Sequence, residues 1–221
     1  SQREHVSTGL SLALEQRHKI RFEIQHGASE DTHLLRSGYR YDAENKRLIV
    51  RDLLPEASQR FLMARVLAEH EASEAITQVL KTAPHPFAGD GFERGFVALA
   101  AYVASAVLFP YEAYLDAAQQ DRYDLDLLAQ RFGGSFEQIC HRLTTLRRPG
   151  SAGIPFSFLR TDMAGTSSKR FSVQGLRMPR QGAACPLWAL YQAFRTPGEL
   201  MVQLAKFPNN SRFLFLARTA T

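Results

Sequence analysis

Cysteine is scarce in this 221-residue chain: Cys140 and Cys185 alone cannot build a disulfide framework or close a four-cysteine metal cluster. No charged-then-apolar leader with a small-residue cleavage site opens the sequence, so secretion has no support and a reducing, cytoplasmic setting is expected. The longest apolar stretch, from Phe96 to Phe109, is interrupted by small residues and falls short of the roughly 20 apolar residues that cross a bilayer. No membrane partner is expected. Internal repeats and low-complexity tracts are also missing.

Acidic residues are lacking in one region above all. Between Arg142 and Arg195 only Asp162 stands against nine cations: Arg142, Arg147, Arg148, Arg160, Lys169, Arg170, Arg177, Arg180 and Arg195. The net charge of +5 is therefore uneven, because the remainder holds 18 basic and 21 acidic residues by subtraction from 27 and 22. Clustered cations raise the local concentration of negative ligands, so an anion is expected in this later segment. A solvated basic face is the competing reading.

The length suits one sizeable core or two modest ones. Gln2 to about Gln16 reads as a helix, and Ile20, Phe22 and Ile24 then alternate with Arg21 and Glu23 as in a half-buried strand. Tyr39-Arg40-Tyr41 and Leu48-Ile49-Val50 flank the turn-forming Asp42-Ala43-Glu44-Asn45, which predicts a hairpin. From Pro55 the apolar period changes to three or four residues through Phe61, Ala64, Ala68, Ala72, Ala75, Ile76 and Val79, predicting one long amphipathic helix. Further helices are expected over 93–109, 111–119, 124–131, 135–146 and 188–194, and strands over 155–159, 170–174, 200–206 and 212–218. A helical first half and a mixed second half give an α+β fold.

From about Ala101 onward the residues carry a resemblance. Tyr102 to Tyr111, Arg122-Tyr123-Asp124, Arg131-Phe132-Gly133, Cys140 to Leu146, Arg148-Pro149-Gly150, Gly153-Ile154-Pro155-Phe156, Asp162-Met163-Ala164-Gly165, Ser168-Lys169-Arg170 and Cys185-Pro186-Leu187-Trp188 resemble the short-chain fatty acyl transcriptional regulators. The resemblance implies an XRE-type helix-turn-helix, a middle segment related to ImmA/IrrE metallopeptidases, and a C-terminal sensor segment. On that pattern, residues 1–130 form a degenerate peptidase-like helical and hairpin domain, and 131–221 a mixed α/β acyl-effector sensor domain. No helix-turn-helix reading fits ahead of Arg21, so the DNA-reading module is expected to be absent from this chain. The implied partners are CoA or acyl-CoA, DNA through that absent module, and a second copy in a homodimer; no cofactor is implied.

A peptidase-like segment raises the question of zinc. Such a site needs H-E-x-x-H, two histidines one helical turn apart with a glutamate between them to activate water. Arg60-Phe61-Leu62-Met63-Ala64 looks like the lead-in, yet Arg65 and Glu69 stand where the histidines belong and Val66 where the base belongs. The third, acidic ligand would fall near Leu99. A shifted pair, His70 and Glu74, lacks an identified third ligand. No catalytic and no metal residue is assigned, and a non-enzyme is expected, with a zinc peptidase on His70 and Glu74 as the alternative.

Ligand binding is expected of the second half, because CoA needs cations for its phosphates, a stacking surface for adenine and an apolar slot for the thioester. Arg147, Arg148, Lys169 and Arg170 are the phosphate candidates, with Ser167 and Ser168 as hydroxyl donors and Tyr123, Phe158 and Trp188 as walls. Trp188 also reads as a core anchor, and Arg122 and Arg142 as partners of Asp124, Glu137 or Asp162. Direct nucleic-acid binding by residues 142–195 is a third class.

Overall fold

The structure is a computed structural model that describes residues 2–84, 87–171, 189–207 and 209–219. The chain divides into two compact units, Ser1–Gln138 and Ile139–Thr221.

In the first unit, α1 (Gln2–His18) leads into β1 (Arg21–Gln25), α2 (Thr32–Ser37), β2 (Tyr39–Asp42) and β3 (Arg47–Arg51). The three strands form one sheet in the order β1-β3-β2, with β3 parallel to β1 and antiparallel to β2. The predicted turn forms as its chemistry dictates: Asp42 Oδ1 accepts the Asn45 backbone N–H at 3.0 Å. Leu48 and Val50 alternate inward, and both are fully buried. They join Leu10, Leu14, Ile20, Met63 and Val66 in the main core.

The long helix predicted from Pro55 is two helices, α3 (Glu56–Glu71) and α4 (Ser73–Lys81). Ala72 leaves helical geometry at φ −110°, ψ 8°, which resets the phase. Ile76 and Leu80 are consequently buried while Val79 is 55% exposed, so the expected stripe does not run through. Nor is α3 amphipathic: it packs against α1 and α5 at once and buries Leu62, Met63, Ala64, Val66 and Ala68.

Helix α5 (Asp90–Leu108) runs across α3 and α4, and Ala100, Ala104 and Ser105 make the buried contact face. By length and composition α5 is apolar enough to cross a bilayer, which the Phe96–Phe109 stretch did not suggest. A single such helix is weak support for a membrane protein, and its small-residue face packs on neighbouring helices.

Helices α6 (Tyr111–Gln120), α7 (Leu125–Phe132) and α8 (Phe136–Leu143) follow. Asp124 caps α7 by accepting the N–H groups of Asp126 and Leu127, both at 3.0 Å, and Gly133 ends it at φ 66°. Arg60 is buried, and its guanidinium donates to Glu56 and to the Gly133 carbonyl.

Among its described residues the second unit holds three hairpins: β4 (Arg147–Arg148) with β5 (Ser151–Ala152), β6 (Phe158–Thr161) with β7 (Ser167–Phe171), and β8 (Met201–Lys206) with β9 (Arg212–Ala217). Helix α9 (Ala189–Arg195) packs on the last of these. The strand predicted at 155–159 begins three residues later, past Pro155, and its partner begins three residues before the expected position 170.

Candidate functional site

Two places bear on function. The first is the turn of α3 where a zinc peptidase would carry its ligands. Arg65 Nε lies 3.3 Å from Glu69 Oε1, and the Arg65 guanidinium also donates to the Tyr39 hydroxyl at 3.2 Å and sits 5.1 Å from the centre of that ring. Burial pushes the Glu69 carboxyl above the ordinary glutamate range, and the Arg65 charge pulls it partly back. Val66, in the place of the general base, is fully buried in the main core. Leu99 packs in the apolar cluster of Ile76, Leu80 and Ala100. An ion pair and Leu99 thus occupy the positions where a zinc peptidase would need its metal ligands, and Val66 that of its general base.

The shifted pair is divided between two helices. His70 closes α3 and Glu74 belongs to α4, with the break at Ala72 between them. His70 Nε2 is 2.8 Å from the Tyr41 hydroxyl. Among the described residues no group of three or more His, Cys, Asp or Glu side chains could hold a metal ion.

The second place is the basic half. Five of the nine residues proposed from sequence lie on the β6–β7 hairpin: Phe158, Ser167, Ser168, Lys169 and Arg170. In its register Phe158 faces Phe171 and Arg160 faces Lys169, so two aromatics and two cations share one side, while Leu159 and Arg170 share the other. The Arg160 Nε–H donates to Ser168 Oγ at 3.0 Å. The His141 ring centre is 4.5 Å from that of Phe171. Every residue of β7 is exposed.

Arg147 and Arg148 sit on the separate β4–β5 hairpin, opposite Ala152 and Ser151, and Arg147 donates to the Phe156 carbonyl at 3.4 Å. Tyr123 belongs to the first unit, where it and Arg122 take left-handed φ values of 61° and 51° in the turn between α6 and α7. Trp188 lies outside the described residues, as do Cys185, Arg177 and Arg180. Asp162 accepts the Thr166 N–H at 2.8 Å within its own loop.

Sequence reasoning missed Arg160, Phe171 and His141 as neighbours of the proposed set. The alternation Phe156, Phe158, Arg160 contained the signal for Arg160. The placement of Phe171 opposite Phe158 depends on a register that no local pattern specifies.

Comparison with known proteins bears on both places. Residues 15–144 match the model of the IrrE N-terminal-like domain, and residues 145–221 match that of the short-chain fatty acyl coenzyme A regulator, C-terminal. The chain is 43% identical over 172 residues to the propionyl-CoA carboxylase regulator of Cereibacter sphaeroides, covering 78% of this chain and 37% of that protein. It is 39% identical over 180 residues to the HTH-type transcriptional regulator PrpR of Mycobacterium tuberculosis, covering 81% of this chain and 37% of that protein. A solved structure of a Mycobacterium tuberculosis transcriptional regulator superposes with a TM-score of 0.86 at 35% identity, over 96% of this chain and 63% of that one. The chain thus spans well under half the length of the curated relatives it matches.

Proposed function

Because this chain belongs to the short-chain fatty acyl coenzyme A regulator family, we propose that it is the effector-sensing part of a cytoplasmic bacterial transcription factor for short-chain acyl metabolism. That metabolism is of fatty acids, propionate or glyoxylate-related compounds, and the effector is CoA or an acyl-CoA. DNA contact belongs to a helix-turn-helix outside these 221 residues, and the working form is a homodimer. The protein is not an enzyme on this reading. The zinc peptidase alternative is not favoured, since an arginine, a valine and a leucine stand at the positions its chemistry requires.

One observation carries the proposal: Arg160 directly opposite Lys169, beside the Phe158–Phe171 pair, on an exposed hairpin. Two cations side by side on one face can both donate charge-assisted hydrogen bonds to the oxygens of a phosphate. Phosphates fit the cations and flanking hydroxyls of Ser167 and Ser168, while adenine or an acyl group fits the aromatic side. Arg147, Arg148 and Arg170 add phosphate contacts, and Tyr123 and Trp188 are candidate walls to be tested separately.

Calorimetric titration with CoA, acetyl-CoA, propionyl-CoA, butyryl-CoA and the free acids tests this. Binding of at least one thioester is expected, weakened about tenfold or more by Arg160→Glu with Lys169→Glu, because charge-assisted phosphate contacts are among the stronger hydrogen bonds. Absence of binding, or affinity indifferent to those substitutions, overturns the reading.

A further inference from the structure

The first unit contains an open cavity of about 300 Å³ where α1 and α3 end beside the β2–β3 turn. Its polar lining consists of Arg17, His18, Lys19, Tyr41, Lys46 and His70; Ile20 and Ala43 add an apolar side. Three permanent cations and two imidazoles therefore converge from four elements. Two carboxylates lie near the cavity: Glu71 accepts from Arg17 Nη1 at 2.8 Å and lies 3.3 Å from His18 Nε2, and Glu69 acts electrostatically on Tyr41.

Part of this charge has an ordinary explanation. Arg17 and His18 close α1 and His70 lies in the last turn of α3, where cations complement the negative helix end. Lys46 does not fit that account, because it belongs to a turn and has no carboxylate partner among the described residues. Lys19 donates to the Gln16 carbonyl, and Glu71 is shared by Arg17 and His18. Both lysines adopt left-handed backbone, φ 61° at Lys19 and 51° at Lys46, a conformation that favours glycine or asparagine. The fold thus places ammonium groups on this rim at positions where the backbone alone disfavours them. The His18 and His70 rings stack with centres 4.9 Å apart, and burial first, then electrostatic repulsion from the nearby His18 and Lys46, holds the His70 pKa below the usual histidine range. A bound anion relieves that repulsion.

We propose that this cavity binds a small phosphate monoester. A phosphate group presents three terminal oxygens and close to two charges at neutral pH, which matches the donors of Arg17, Lys19 and Lys46 and the one donor left free by the hydrogen-bonded His70–Tyr41 pair. A carboxylate, with two oxygens and one charge, uses fewer of them. The volume leaves room for a small body against Ile20 and Ala43. No residue of this cavity belongs to the proposed CoA site, so either proposal can fail while the other stands.

The test is an NMR titration of the whole chain at constant ionic strength with inorganic phosphate and glycerol phosphate, and with propionate as the carboxylate arm. Saturable shifts of the His18 and His70 ring signals are expected with both phosphates. The double substitution Lys19→Gln with Lys46→Gln should weaken binding about tenfold or more, whereas Lys169→Gln with Arg170→Gln leaves it unchanged. Arg17→Gln, which touches neither left-handed turn, should weaken it too and serves if the double variant does not fold. No saturable shift, or a shift insensitive to these substitutions, overturns the site. Propionate binding as tightly as phosphate overturns the phosphate assignment.

Discussion

Arg65 and Glu69 face one another across one turn of α3, Nε to Oε1 at 3.3 Å, at the two places where a zinc peptidase would carry histidines. The charge that a metal would supply comes instead from a guanidinium fixed over the Tyr39 ring. Exhaustive treatment with a chelator should therefore leave the melting temperature unchanged, and added zinc should not raise it. A drop of several degrees after chelation, read by thermal denaturation with metal analysis alongside, would contradict this account.

Arg60 ties the start of α3 to the end of α7 through the Gly133 carbonyl and pairs with Glu56. Arg60→Met keeps the aliphatic stem but leaves a carbonyl without its donor in a closed setting, at a cost of about 2–3 kcal/mol. Urea denaturation measures this directly. A loss below about 0.5 kcal/mol would mean that water replaces the guanidinium freely.

Asp124 satisfies two N–H groups at the start of α7. Asp124→Ala is expected to destabilise the first unit by about 1 kcal/mol, and Asp124→Asn by much less, since asparagine keeps the accepting oxygen. Equal losses for the two would show that charge rather than capping matters here.

His70 makes stability depend on pH in a definite direction. Its folded pKa lies below the ordinary 6.5, first because of burial and then because His18 and Lys46 are nearby; Tyr41 faces it from β2. A depressed pKa contributes stability that is fully present above the unfolded value and lost as pH falls through the folded one, since the unfolded chain takes up the proton first. Thermal melts of the wild type should fall between about pH 7 and pH 5 more steeply than those of His70→Gln. Parallel curves would remove His70 as the source.

Much of the first unit was legible. One buried face imposed the alternation at Ile20 and Phe22 and at Leu48 and Val50, whereas Ile24, expected on the same inward face, is 43% exposed; Asp42 and Asn45 carried the turn between β2 and β3 in their side chains. Helix α2 had its signals as well, an Asp31 cap and Gly38 at φ 78°, yet six residues are too few for periodicity to reveal. The break at Ala72 was invisible because alanine and serine interrupt nothing locally; packing of Ile76 and Leu80 against α5 determines the phase of α4. The candidate sites divide in the same way. Cation density marked the 142–195 segment, but the Arg160–Lys169 pairing depends on strand register. The cavity of Arg17, Lys19 and Lys46 depends on bringing the end of a helix to a turn nearly thirty residues away, and no window of sequence contains both.

The middle strand of the first sheet is the last of its three strands in the chain. During translation neither β1 nor β2 can find its neighbour until Leu48 and Val50 have left the ribosome, so the sheet closes in one late step. A nascent chain stalled before Arg47 would present Phe22, Ile24, Tyr39 and Tyr41 on two ribbons with no common partner, a natural target for a chaperone that reads extended apolar segments.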